Sequence, residues 1–540
     1  MTTEQPRPRW SGPEAPAVGE TGIQQALARL DEPVYIVRGP GGLGAAAGGG
    51  VRADGEYEVV AAVPPLGPER LGSAAFLTTY GVRQAYMSGA MAGGIASVDL
   101  VTAMARAGYL ASYGAAGLLP ETVEKALLRF AAEIPGLPYA CNLIHSPSEE
   151  RLERAAVDLY LKHRVPCVEA SAFLGLTPHV VRYRLAGLRA GGPYGVVAEH
   201  RLIAKVSRTE IAEQFMRPAP EAVVRALRED GAISAEQAEL AARVPLADDI
   251  TVEADSGGHT DRRPLPAQLP VLLRQRDALM RELRYPERVR VGAAGGVGTP
   301  EAAWAAFAMG ADYVVTGSVN QSCVEAGTSD VVKEMLARAD LADCEMAPAA
   351  DMFETGVELQ VLKRGTLFPM RARHLYELYR DHDGIDALPA PVRARLEQQV
   401  FRRPLDDVWE ETVAYFQRRD PAQLARAADH PKRRAALVFR WYLGMASRWA
   451  RTGEADRAVD YQIWCGPAMG SFNSWVRGTY LAAPRNRRVA DVARHLMAGA
   501  AFHQRLSMLR AAGLTLSPAI AAYPVPASTP AEPETPGVRP

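Results

Sequence analysis

The chain has 540 residues, 48% hydrophobic and 23% charged, the composition of an ordinary globular protein of two to four domains. Net charge is -1, so no global field points to nucleic acid, and no run of about 18 apolar residues predicts a membrane span. The five cysteines (Cys141, Cys167, Cys323, Cys344, Cys465) are odd in number and lack a CxxC pair, which disfavours a disulfide framework or a zinc site.

The charge is unevenly spread. Residues 361–540 carry 27 Lys and Arg against 17 Asp and Glu, a net of +10, and residues 1–360 carry 34 against 45, a net of -11. A basic C-terminal module suited to an acidic partner is one reading, and charge scattered over a solvated surface is the other. The N-terminus "MTTEQPRPRWSGPEAP" has no apolar signal region, so a cytoplasmic protein is expected.

Residues 1–20 and the Pro/Ala/Thr-rich stretch from 516 to 540 read as disordered. Residues 21–80 read as a preamble of short helix and strand pieces. Within it "GPGGLG" (Gly39 to Gly44) formally matches a dinucleotide fingerprint. That fingerprint needs a helix directly after it, and three more glycines follow instead, so the stretch is expected to be a flexible loop.

From residue 81 to 339 short apolar runs alternate with helical periodicity. Eight strands are expected, at 85–91, 109–115, 139–145, 167–172, 201–207, 250–256, 289–296 and 313–319. The stretch "PETVEKALLRFAAEI" opens with Pro120, and its apolar residues recur every three or four positions. "TPEAAWAAFAMG" offers Thr299 as N-cap, Pro300 at the first position and Gly310 as the stop. Eight β/α units over roughly 240 residues predict an α/β TIM barrel, with a doubly wound open sheet as the rival. Extra helices are expected between strands five and six and between Arg262 and Arg288. Beyond residue 340 the strand rhythm stops, and 340–515 is expected to be a mostly helical second domain that binds substrate.

In a TIM barrel, ligands gather at the C-terminal ends of the strands, and phosphate sits on the loops after strands seven and eight. Gly295-Gly296 and Gly317-Ser318 fall there, each turning into a helix, as an anion site would. Ala90, Met91 and Ala92 close strand one with small residues beside a methionine, suited to a planar ring. Asn142 in strand three can bond the edge of a heterocycle. Lys205 in strand five is costly to bury without an anion or an electron-rich acceptor. In "VEADSGGHTD" (252–261) the pair Gly257-Gly258 lets the backbone approach a bound group, and His259 points over it.

These phrases carry a resemblance. "VEADSGGHTD", "AAGGVGTPEAAWAAFAMGADYVVTGSVNQ" and "SGAMAGGIAS" resemble the FMN-dependent nitronate monooxygenase and bacterial enoyl-reductase superfamily. "NQSCVEAGTSDVVKEML" and "YQIWCGPAMGSFNSWVRGTYL" are similar to its PfaD-like enoyl reductases, which serve polyunsaturated fatty acid synthases and trans-acyltransferase polyketide synthases. The chain departs from the superfamily at Asp255-Ser256, where Glu-Ala usually precedes the glycines.

The resemblance implies FMN, with its phosphate on Gly295, Gly296, Gly317 and Ser318. Its ring would lie near Ala90, Met91, Ala92, Asn142, Lys205, Asp255, Gly257 and Gly258. It further implies hydride relay from NADPH or NADH to an α,β-unsaturated acyl thioester, with His259 and Lys205 as catalytic residues and the flavin owning the redox chemistry. The thioester would arrive on an acyl carrier protein, for which Lys432-Arg433-Arg434 and Arg485-Arg487-Arg488 are candidate docking clusters. No nucleic acid and no membrane is implied, and a homodimer stays open. The competing readings are a nitronate-type flavin oxidase and a scaffold that merely kept the barrel.

Overall fold

The computed structural model describes residues 8–145 and 150–527. Eight parallel strands close into a barrel, each inside its predicted span or within one residue of it: Tyr86–Ser88, Leu110–Tyr113, Ala140–Ile144, Cys167–Ser171, Arg201–Val206, Asp249–Glu253, Arg290–Ala294 and Val314–Thr316. Closure is made where Val314 pairs Tyr86 and Thr316 pairs Ser88. Near-continuous apolar runs form these strands because both faces of a parallel sheet are covered. The barrel, not the open sheet, is the fold.

Between strands five and six lie helices Thr209–Met216, Glu221–Glu229 and Ala235–Leu240, as expected. The stretch after Arg262 holds one long helix, Leu265–Leu283, rather than extra ones. The bottom of the barrel is plugged by helix Ala74–Tyr80, whose Phe76 stacks on Tyr313 at 4.4 Å.

The N-terminal segment departs from expectation. Arg9–Ser11 and Ala17–Val18 are strands of a six-stranded antiparallel sheet, not disordered chain, while residues 1–7 lie outside the described residues. The expected flexible loop at Gly39 to Gly44 is a tight hairpin in that sheet, with Arg38 opposite Leu43 and Gly39 opposite Gly42 around Pro40-Gly41. Gly42 sits at φ +100°, a conformation open to glycine, so the residues that forbid a helix here suit a turn.

This sheet is clamped to the far end of the chain. Arg505, wholly buried on helix Val489–Ala511, donates to the carbonyls of Leu27, Arg29, Leu30, Glu32 and Pro64. The C-terminal stretch is ordered as far as residue 527, with helix Pro518–Ala521 and the Tyr480 N–H donating to the Pro526 carbonyl. Residues 528–540 lie outside the described residues.

The region after 340 is helical, with two departures. Strands Cys344–Pro348 and Glu358–Leu362 pair with each other, and the second also pairs Gly258-His259. One buried cluster runs from Leu71 through the barrel and into the helical region to Ala501, so the two share a core.

His495 in that region is 3% exposed and lies 2.9 Å from the Tyr480 hydroxyl. Burial, reinforced by Arg494, pulls its pKa from 6.5 down to about 4. The unfolded chain therefore binds the proton first, and stability is present above pH 6.5 and lost as pH falls toward 4. Melting temperature should drop as pH is lowered through this window, and the drop should shrink in His495→Gln.

Candidate active site

Strands three to six place Asn142, Glu169, Lys205 and Glu253 around the upper interior of the barrel, because alternate residues of a strand share a face. Lys205 Nζ donates to Glu253 Oε1 at 2.5 Å. Burial works against its charge, but Glu253 and then Glu169 outweigh that and hold the ammonium above its ordinary value. The predicted anionic partner is thus a side chain of the barrel itself. Glu169 is fully buried, and one of its oxygens accepts the Ala90 N–H at 2.8 Å while Oε1 has no partner. Burial pushes this carboxyl up, opposed by Lys205 and the Ala90 N–H. Asn142 Nδ2 donates to the Glu169 carbonyl at 3.0 Å and to Ser171 Oγ at 3.1 Å, which leaves its side-chain oxygen for a ligand.

The segment Ala90–Ala92 crosses this layer. Met91 is buried, and a Cβ added at Gly114 would fall 1.8 Å from the Met91 carbonyl oxygen, so glycine is what lets the loop lie there.

The glycine turns after strands seven and eight lie side by side, since Ala294 pairs Val315. Gly295 and Gly296 have φ +86° and +74°. A Cβ added at Gly296 or Gly317 would meet nothing within 4 Å, and neither backbone N–H has a partner among the described residues. Both free donors face open space, that of Gly296 about one turn before helix Pro300–Ala308 with its Thr299 cap and that of Gly317 at the start of helix Ser318–Gln321, an arrangement that could hold a phosphate. Ser318 Oγ accepts the Gly466 N–H at 3.0 Å, which ties this turn to the helical region.

In "DSGGH" the two glycines do different work. A Cβ at Gly257 would lie 2.8 Å from the Cys465 nitrogen, and one at Gly466 would lie 2.7 Å from the Gly257 nitrogen, so this approach is of backbone to backbone. Gly258, at φ +83°, faces open space. Asp255 is turned away into the hairpin, where its Oδ1 accepts from Gln360 Nε2 at 2.8 Å, and it holds that strand rather than a ligand. His259 Nε2 pairs with Asp351 Oδ1 at 3.2 Å. Burial works to deprotonate the imidazole, and the hydrogen bond and charge of Asp351 outweigh it, raising the pKa above 6.5.

Glu169, Glu253 and Asp351 went unmarked in the sequence, as did His145. His145 follows strand three, its Nδ1 lies 3.1 Å from Glu153 Oε2, its ring stacks on Phe173 at 5.3 Å, and Thr177 donates to the other Glu153 oxygen. The position rule for strand ends points to His145 and the two-residue alternation to Glu169. Nothing local points to Asp351.

The cationic clusters are only partly spent, since Arg485 and Arg488 are exposed. Arg487 is 1% exposed and bonds Ser322, Asn473 and the Leu481 and Ala482 carbonyls, so it braces the fold and is no docking residue. Lys432 lies over Tyr379, Arg434 lies over Trp409, and Arg433 bonds Gln423.

Three family models match: the fatty acid synthase subunit PfaD N-terminal domain over residues 10–65, nitronate monooxygenase over 75–377, and the inserted helical domain of [acyl-carrier-protein] S-malonyltransferase over 382–461. A polyunsaturated fatty acid synthase polypeptide of Thraustochytrium sp. (strain ATCC 26185 / S-3) is 48% identical over 94% of this chain and 34% of its own length. Polyketide biosynthesis protein PksE of Bacillus subtilis (strain 168) is 44% identical over 82% of this chain and 58% of its own. The chain therefore spans about a third of the first of these relatives and under two thirds of the second. The crystal structure of the enoyl reductase domain of MlnA, from the macrolactin cluster of Bacillus amyloliquefaciens, is similar at TM-score 0.77 and 37% identity, covering 81% of this chain and 99% of that one. With more than half of its residues under one model and the architecture of that domain over 81% of its length, the chain belongs to the nitronate monooxygenase family, in its PfaD-like group.

Proposed function

We propose that the protein is an FMN-dependent enoyl reductase acting on α,β-unsaturated thioesters carried by an acyl carrier protein. The observation that carries this is the pair of open, donor-lined glycine turns at Gly296 and Gly317, set beside an interior layer that holds Lys205 and faces His259. The residues fit the cofactor: backbone N–H groups of Gly296, Gly317 and Ser318 would hold the phosphate, and Ala90, Met91, Ala92, Asn142, Lys205 and Gly258 would border the ring. When bound, FMN supplies the hydride, drawn from NADPH or NADH and passed to the β-carbon of the substrate. Lys205, neutralised by Glu253, fixes the local potential and orients its carboxylate partners. His259, whose pKa Asp351 raises, would give the α-carbon its proton.

The family model over 75–377 also favours a second reading, a nitronate-type oxidase that passes its electrons to oxygen. An anaerobic experiment separates them. The purified protein, supplemented with FMN, should be yellow and should bleach with NADPH or NADH. Crotonyl thioester should then restore the colour, and air should do so slowly. Rapid recovery in air with no response to the thioester overturns the reductase in favour of the oxidase. A protein that stays colourless is a scaffold.

A further inference from the structure

Helix Pro431–Thr452 crosses the mouth of the barrel. Arg440 reaches Glu354 at 3.2 Å, three residues beyond the partner of His259. Eleven residues on, Arg451 Nη1 donates to the Gly93 carbonyl at 2.6 Å, just past the Ala90–Ala92 loop. Residues 440, 444, 448 and 451 follow the spacing of a single helix face. The opposite face, with Leu443, Ala446, Trp449 and Ala450, is buried in the helical region.

What lies on the exposed stripe is unusual. Gly444 sits in the middle of a 22-residue helix, where glycine is disfavoured relative to alanine. Its side-chain position meets nothing within 4 Å, so neither packing nor backbone geometry calls for it. Arg448 is exposed, and neither it nor Arg451 has a carboxylate partner among the described residues. Like charges one turn apart repel, and Arg451 also carries a buried Nε without a hydrogen bond. Burial, together with Arg448, pulls the Arg451 pKa below its ordinary value. Arg505, buried elsewhere in the chain, also leaves its Nε without a partner, but its Nη groups donate to five carbonyls, whereas Arg451 donates to one.

We propose that Arg448 and Arg451, with the slot left open at Gly444, form a binding site for the phosphate group of a substrate whose reacting end lies between His259 and Met91. Guanidinium groups suit this task because their planar donors match phosphate oxygens in pairs. The site rests on the reductase reading, under which two ligands bring a phosphate remote from the reacting atoms. One is the nicotinamide nucleotide, and the other is the phosphopantetheine arm of the carrier-bound thioester.

Binding, which needs no turnover, reads the site directly. The full-length FMN-loaded protein and its Arg448→Ala variant would be titrated calorimetrically with NADP+, with 4′-phosphopantetheine and with pantetheine. Loss of one charge-assisted contact should weaken binding of at least one phosphate-bearing ligand roughly tenfold and leave pantetheine unaffected. Weakening confined to NADP+ assigns the site to the nucleotide, and weakening confined to phosphopantetheine assigns it to the carrier arm. Gly444→Phe should block the same ligand, while Gly444→Ala should leave it bound. Equal affinities of wild type and Arg448→Ala for both phosphate ligands overturn the site, as does an equal loss for pantetheine. If the affinities shift as expected and no enoyl thioester is reduced, the site stands and the reductase reading fails.

Discussion

Replacing His259 with alanine is expected to lower enoyl-thioester turnover by about 10²–10⁴-fold, the usual contribution of a positioned proton donor. FMN content and bleaching by NADPH should stay intact, because the cradle at Gly296 and Gly317 does not involve this side chain. The pH profile carries the finer test. Asp351 raises the pKa of His259, with Glu253 adding to it and Lys205 opposing, while Arg440 bears on Asp351 from the helix above. The proton is therefore held at pH values where a free imidazole has lost it, and activity should persist to higher pH than the ordinary value of 6.5 predicts. In Asp351→Asn the alkaline limb should move to lower pH. Linkage runs the same way: the pair's stabilisation is full below the ordinary histidine value and is lost as pH rises through the raised one. Full turnover in His259→Ala at every pH would remove the residue from the chemistry.

At the opposite end of the barrel, Arg290→Met should cost about 3–5 kcal/mol of stability, the penalty for stranding a buried charge. Asp249 is fully buried and takes two bonds from Arg290, at 2.6 and 2.7 Å, and a third from the Tyr80 hydroxyl at 2.5 Å. Burial opposes the Arg290 charge, and Asp249 outweighs it. The same guanidinium lies over the Tyr80 ring at 5.7 Å, so the pair also pins the helix that plugs the barrel floor. A fall in the urea midpoint of Arg290→Met, largely recovered in the Arg290→Met/Asp249→Leu double variant, is the expected result. The double variant removes both charges and leaves only the neutral Tyr80 hydroxyl without its acceptor. If the single variant unfolds where the wild type does, the pair is not stabilising the floor.

The barrel was legible because its signals are local. Each strand is a run of a few apolar residues between turn-formers, and helix Pro300–Ala308 announces itself through Thr299 and Pro300. Gly39 to Gly44 misled for the same reason: glycines that exclude a helix say nothing of whether the chain is loose or turned, and only the strand opposite makes the hairpin.

The site divides along the same line. Gly295, Gly296, Gly317 and His259 could be marked from spacing, since a turn and the residue beside it are neighbours in sequence. Period alone puts Glu169 and Lys205 on one interior face, but their charge balance depends on Glu253, contributed by the next strand around the barrel. Gly257 reads as a contact for a ligand until the chain brings Cys465 and Gly466 against it from some two hundred residues away. Arg487, counted among surface cations by composition, is drawn inside by four neutral acceptors. Asp351 reaches His259 only through the hairpin of Cys344–Pro348 and Glu358–Leu362. Which elements form, and where turns can bind a phosphate, follow from short-range sterics and hydrophobic period. Which charges are paired, and which glycines are free to meet a ligand, depend on long-range contacts that no local pattern encodes.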